Sequence, residues 1–237
     1  MYILKLFYMP EKTIVLPLAC SDVLQGVFYS FLAPETELAS EIHDKMPEDG
    51  KKQYKFFCFS DFQGKRAVRN GHLYFNGAFM WEIRSVDERI SEAVRAHAET
   101  IRVIGVECRL IGMECAERKC FTDSVDITMM TPLCVYTTRA NGSRRFYSPD
   151  EEAFFRSAEK NLIQKYEAFY GRKPNGAVSL EPICIAPEDK CVTKYKGWYV
   201  TGYRGKYRLS APPDVIDFAY HTGLGVKNSA GFGLFQF

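Results

Sequence analysis

Apolar positions along this chain change period in an ordered way. The opening run YILKLFYM alternates as a strand does, and SDVLQGVFYSFL and PETELASEIHD follow as helical pieces, with Ser21 placed to cap the first. YKFFCFS and HLYFNGAFMWEI read as strands. SVDERISEAVRAHA begins with Ser85 and Glu88 at capping-box spacing and carries Ile90, Val94 and His97 on one helical face, ahead of strand-like IRVIGVECRLIGM. The predicted order is β-α-β-β-α-β.

The same order returns after a polar connector near Glu117 to Ser124. VDITMMTPLCVYTT and RRFYS flank an Asn141-Gly142 pair that predicts a hairpin. Ser148-Pro149-Asp150-Glu151 supplies an N-cap, a first-turn proline and a capping-box glutamate, and Phe154, Ala158, Leu162 and Tyr166 then form a helical stripe. GAVSLEPICIA and KYKGWYVTGYRGKYRLS read as strands, PPDVIDFAYHTG as a short proline-started helix and GFGLFQF as a closing strand. The pattern therefore predicts an α+β protein of two tandem ferredoxin-like (RRM-like) domains, residues 1–118 and 119–237, with a cleft between them suited to an extended ligand.

A length of 237 residues accommodates two such cores. No apolar run approaches the roughly 20 residues of a membrane-spanning helix, and MYILKLFYMPEKT lacks the features of a cleavable signal, so a cytoplasmic protein with no membrane partner is expected. The eight cysteines form no C-x-x-C pair and join no histidine at zinc spacing, which predicts buried reduced thiols, no disulfide and no structural metal.

The net charge of +2 calls for no polyanionic partner, but its distribution is uneven. Lys190 to Arg208 holds six Lys or Arg and no carboxylate, interleaved with Tyr195, Trp198, Tyr199, Tyr203 and Tyr207. Cations beside stacking rings suit a nucleic-acid surface, and an exposed hairpin with aromatic cross-strand pairs explains the same residues equally well.

The C-terminal segment HTGLGVKNSAGFGLFQF poses a second question. A phosphate-binding Walker loop counted from Gly225 would need glycine at Ala230 and lysine at Gly231, and a dinucleotide fingerprint would need glycine at Asn228 and a following helix. Neither fits. What remains is G-x-G-x5-G-x-G, formed by Gly223, Gly225, Gly231 and Gly233. It is either a turn without a ligand or a loop whose backbone approaches phosphates, with Lys227, Asn228 and Ser229 at its tip.

The ending GLGVKNSAGFG behind two β-α-β-β-α-β passes resembles the signature of the CRISPR-associated repeat-processing endoribonucleases of the RAMP superfamily. FYSFLAPETELASEIHDK, YKFFCFSDF, TPLCVYTT, YSPDEEAFFRSAEKNLIQKY and KGWYVTGYRGKYRL extend the resemblance in order along the whole chain. It implies metal-independent cleavage of CRISPR repeat RNA (pre-crRNA) without a cofactor: the ribose 2′-hydroxyl attacks the adjacent phosphate, leaving a 2′,3′-cyclic phosphate and a 5′-hydroxyl. The same fold and loop also occur in non-cutting RNA-binding subunits of CRISPR effector complexes. Subunits of such a complex and a second copy of the chain are further candidate partners.

Cleavage of this kind needs a base, an acid and positive charge on the phosphorane. His43 ends a short helix beside Lys45, Lys51 and Lys52, either as a solvated helix-end residue or as the catalytic histidine that the resemblance implies. The resemblance also implies a tyrosine and a lysine near it, for which Tyr29 and Lys51 or Lys52 are the candidates; Tyr29 equally suits the core with Leu24, Phe28, Phe31 and Leu32. His97 reads as packed and His72 as a turn residue, while His221 either touches RNA through the glycine loop or caps the preceding helix. Arg139, Arg144, Arg145, Lys194, Lys196, Arg204 and Lys206 are candidate RNA contacts or solubilising surface charge.

Overall fold

The computed structural model describes residues 2–44, 53–117, 119–120 and 122–237; the side chains of His43 and Asp44 lie outside that description. Its first unit runs β1 (Tyr2–Pro10), β2 (Ile14–Pro17), α1 (Ser21–Leu32), α2 (Thr36–Asp44), β3 (Phe57–Phe59), β4 (Gln63–Arg69), β5 (His72–Ser85), α3 (Glu88–His97), β6 (Thr100–Val103) and β7 (Val106–Ala116). β1 lies between β5 and β7, and β3 and β4 pair with the other edge of β5, all antiparallel. Numbered by their place in the β-α-β-β-α-β order, these strands run 4-1-3-2, the ferredoxin-like arrangement.

Side-chain period explains why one strand can serve two units. Along β5, Phe75, Phe79, Trp81 and Ile83 point to the face that α1 and α3 cover. Leu24, Val27, Phe28 and Phe31 form the buried stripe of α1, and Phe28 stacks on Phe57 with centroids 4.2 Å apart. Glu82 and Arg84, on the opposite face of β5, are also buried, because the second unit covers them.

That second unit comprises β8 (Ser124–Met129), β9 (Tyr136–Thr138), β10 (Arg144–Phe146), α4 (Glu152–Tyr170), β11 (Ser179–Cys184), β12 (Lys190–Tyr195), β13 (Trp198–Tyr203), β14 (Lys206–Ser210), α5 (Pro213–Thr222) and β15 (Phe235–Gln236), with 3-10 turns at Pro187–Asp189 and Asn228–Ala230. Its sheet order β11-β14-β8-β15 is again 4-1-3-2 read from β15. β12 and β13 form a separate two-stranded hairpin between β11 and β14. Among the described residues no helix is long and apolar enough to cross a membrane.

Several local expectations shift. The run Val125 to Thr138 is not one strand: after β8 the chain bends, and Pro132, which has no N–H to donate, sits where continuous pairing would fail. Residues 130–134 instead brace the C-terminal loop. Met130 N–H donates to Leu234 O, Val226 N–H to Cys134 O, Gly233 N–H to Pro132 O and Leu234 N–H to Thr131 Oγ1. Ser21 is the first residue of α1 rather than its cap, and the cap of α3 is Asp87, which accepts from Arg89 N–H. α4 begins at Glu152, one turn of chain after the predicted start, although Glu151 reaches back to Ser148 N–H as a capping-box residue does. The stripe of α4 is buried as expected. Of the cysteines, Cys115 and Cys184 are exposed and Cys191 half-exposed, unlike the buried five.

A buried arginine joins the units. Arg84 donates to the carbonyls of Tyr220 (3.1 Å) and Phe235 (2.8 Å), stacks 3.7 Å from the Tyr220 ring centroid and pairs with Glu82. Its charge is thus balanced in a space with no water access.

Candidate active site

The glycine loop is held from three sides. Lys165 on α4, 1% exposed, donates to Thr222 O, Gly223 O and Asn228 Oδ1. The Asn228 amide in turn donates to Leu224 O (2.8 Å) and Phe232 O (3.0 Å), closing the loop around its own side chain. From the first unit, Gln25 on α1 donates to Ser229 O at 2.7 Å. All four glycines have positive φ, and two positions show why nothing else fits. A Cβ on Gly225 would stand 2.5 Å from the Cys134 carbonyl oxygen, and one on Gly233 would overlap the Leu224 carbonyl oxygen.

Packing of this kind determines what the loop can offer a ligand. The N–H groups of Gly223, Leu224, Val226, Gly231 and Gly233 donate to carbonyls of the protein, so these residues shape the loop. Its tip, from Val226 to Ser229, borders a cleft of about 170 Å³ also lined by Tyr54, Lys55, Tyr136, Asn161 and Lys165. The cleft therefore draws walls from both units.

Lys55 is the residue that sequence reading missed. Its Nζ donates to the Tyr29 hydroxyl at 2.6 Å and lies 5.2 Å from that ring. Burial pushes the Tyr29 phenol up to about 12, with Tyr195 adding to the effect, so it keeps its proton at neutral pH. Burial also lowers the Lys55 amine, and Lys196 nearby lowers it further. Lys227, 4.7 Å from the Tyr195 ring centroid, is lowered by burial and then by Arg144, against an opposing effect of Cys134, with Lys196 lowering it a little further. Lys55 and Lys227 line the cleft, and the charges of Lys196 and Arg144 bear on them from beside it. A phosphate entering it would meet cations already partly stripped of water.

His43 lies in the last turn of α2, and the returning chain is tied to that turn, since Gln53 donates to Glu41 O at 3.1 Å. The His43 side chain, and all of Lys51 and Lys52, lie outside the described residues. Tyr29 packs its ring against the first core, as one of its two sequence readings expects, while its hydroxyl accepts from Lys55.

Other candidates separate by their partners. Arg144 lies 5.3 Å from the Tyr136 ring centroid, while Arg145 pairs with Glu151 and Arg204 with Asp61, a strut between the units. Lys194, Lys206 and Arg139 are exposed on β12, on β14 and beside the Asn141-Gly142 turn. His221 departs from expectation: it is fully buried, its Nδ1 faces Asp217 O at 2.8 Å, and it neither reaches the surface nor caps the helix through its ring. Burial lowers it to about 4. His97 is not packed in the core but faces Glu35 at 3.1 Å, and His72 opens β5 at a turn as expected.

The family described as "CRISPR associated protein Cas6, C-terminal" matches residues 115–237. Over 236 residues, covering 89% of this chain and 79% of the relative, the sequence is 25% identical to the CRISPR-associated endoribonuclease Cas6 of Pyrococcus furiosus. Among solved structures, one described as CRISPR associated protein Cas6 superposes with a TM-score of 0.77 at 21% identity, covering 99% of this chain and 98% of the other. Another, described as a RAMP protein binding different RNA substrates, gives 0.82 at 17% identity, covering 100% and 99%. With more than half its length matched by the family's own C-terminal region and its whole length following the same fold, the chain belongs to the Cas6 family of CRISPR-associated proteins.

Proposed function

We propose that this chain is a metal-independent endoribonuclease that cuts CRISPR repeat RNA into guide RNAs in the cytoplasm. We take its two ferredoxin-like domains as residues 1–118 and 119–237, with the cut made where they meet. The observation that carries this reading is Lys55, hydrogen-bonded to the Tyr29 hydroxyl and lining a cationic cleft whose other wall is the tip of the glycine loop.

Each requirement of the reaction then has a residue. His43, at the end of α2 beside the cleft-lining segment, takes the proton of the 2′-hydroxyl as that oxygen attacks phosphorus. Lys55 places positive charge against the phosphorane, and Lys227 and Ser229 at the loop tip hold its non-bridging oxygens. As the P–O5′ bond breaks, the protonated Tyr29 phenol gives its proton to the departing oxygen. Lys51, Lys52, Arg144 and Lys196 draw the flanking phosphates in, and Arg139, Arg145, Lys194, Arg204 and Lys206 extend the RNA path across the surface. Gly223, Gly225, Asn228, Gly231 and Gly233 act by giving the loop its shape.

The test is chemical. Purified protein with EDTA and a synthetic repeat RNA yields, on this account, a 5′ fragment whose mass matches a 2′,3′-cyclic phosphate, and a 2′-deoxy sugar at the cut position blocks the reaction. Cleavage of the 2′-deoxy RNA, loss of cutting in EDTA, or binding without any product contradicts it.

A further inference from the structure

Among the described residues the two most exposed large apolar side chains are neighbours: Trp198 (72%) and Tyr199 (73%), at the start of β13. They stand at the tip of the β12–β13 hairpin, turned by Lys196 and Gly197, both at positive φ as a type I′ turn requires. A tryptophan left this open leaves much of its apolar surface in water.

The tip is fixed in place. Tyr195, the cross-strand partner of Trp198, hydrogen-bonds through its hydroxyl to Gln25 on α1 (2.6 Å), and Gln25 also holds Ser229 of the glycine loop. Cross-strand partners share a face. Trp198 therefore continues the surface on which the Tyr195 ring meets Lys227, at the mouth of the cleft. Tyr199 pairs with Lys194 and lies on the other face. From Lys190 to Tyr203 the hairpin carries Lys190, Lys194 and Lys196 and no acidic residue. Two copies meeting tip to tip would set these cations against each other, whereas a nucleic-acid strand brings phosphates for the cations and π-faces for the rings.

We propose that Trp198 is a base-stacking platform that captures an unpaired nucleotide of the RNA as it leaves the cleft. Resting on the cleavage reading for its location, this assigns the hairpin a specificity role: it selects substrates that are single-stranded beside the cut. Duplex RNA, whose bases are already stacked, gains nothing from it.

The chain contains two tryptophans, and the other, Trp81, is fully buried with its indole N–H bonded to Ser60 O, so the red-shifted, solvent-exposed part of the tryptophan emission reports on Trp198. The probes are an oligoadenylate RNA and an abasic ribose-phosphate strand of equal length. The expected result is quenching of the exposed emission by oligoadenylate but not by the abasic strand. Trp198→Ala is expected to weaken oligoadenylate binding about 5- to 100-fold while changing abasic-strand binding less than about twofold, and Trp198→Phe to retain most of the affinity. Equal losses on both strands, or binding of oligoadenylate without quenching, overturn the proposal. So does emission that depends on protein concentration alone, with Trp198→Ala converting a dimer to a monomer. Cleavage of repeat RNA in the same samples separates the two readings: a parent that cuts but is not quenched refutes the platform only, and one that is quenched but does not cut refutes the cleavage reading only.

Discussion

Replacing Lys165 with methionine removes the ammonium that holds the glycine loop while keeping a side chain of similar length. Three acceptors lose their donor: Thr222 O (3.1 Å), Gly223 O and Asn228 Oδ1 (3.1 Å), all on buried residues. A buried acceptor left without a partner costs about 1–3 kcal/mol, and relief from burying the charge returns part of the sum. A net loss of about 2–4 kcal/mol follows, which for a chain of this size lowers Tm by about 5–12 °C. The effect should be larger on catalysis than on RNA binding. The loop tip would lose its register against Lys55, and a displacement of about 1 Å can cost on the order of 10² in rate. Thermal unfolding followed by circular dichroism, and single-turnover cleavage at a temperature where both proteins are folded, measure the two quantities. A variant that melts within about 2 °C of the parent and cuts at the parent's rate would refute the idea that this buried cation organises the loop.

Gly225→Ala sets a Cβ 2.5 Å from the Cys134 oxygen at a φ of +65° and should destabilise by at least about 2 kcal/mol. Gly26→Ala, on the exposed side of α1 with nothing within 4 Å, should stabilise by about 0.5–1 kcal/mol; urea unfolding of the two variants reads the contrast. His221 is held near 4 in the folded chain against its usual 6.5. The unfolded chain therefore binds the extra proton between those values, and stability falls as pH drops from about 6.5 to about 4, by up to about 3 kcal/mol. His221→Leu should remove that part of the slope, which urea midpoints at pH 7 and pH 4.5 test against the parent.

Both β-α-β-β-α-β passes were legible in the sequence because their strands and helices bury one face each, which leaves a period that can be read. β2 and β4 were not: β2 has four residues, and β4 (Gln63–Arg69) is an edge strand whose Lys65, Arg66 and Arg69 hide the alternation. The glycine loop and its tip were visible as a motif, but the reason for the glycines was not, since Gly225 faces Cys134 and Gly231 faces Phe59, far away along the chain. Lys55 escaped for the same reason. It meets Tyr29 across 26 residues, and no local spacing connects them. His97 was misread from its helical face, where a carboxylate at Glu35, on another segment, draws the ring outward. Lys165 left one readable sign, a lysine next to Tyr166 on the apolar side of an otherwise regular helix.

The single-turnover rate of Lys55→Met on repeat RNA, measured beside its binding affinity, tests the account at its centre. If Lys55 stabilises the phosphorane, the rate falls about 10²- to 10³-fold while affinity changes by less than about tenfold. A variant that cuts as fast as the parent would mean that the cleavage centre lies elsewhere on the molecule.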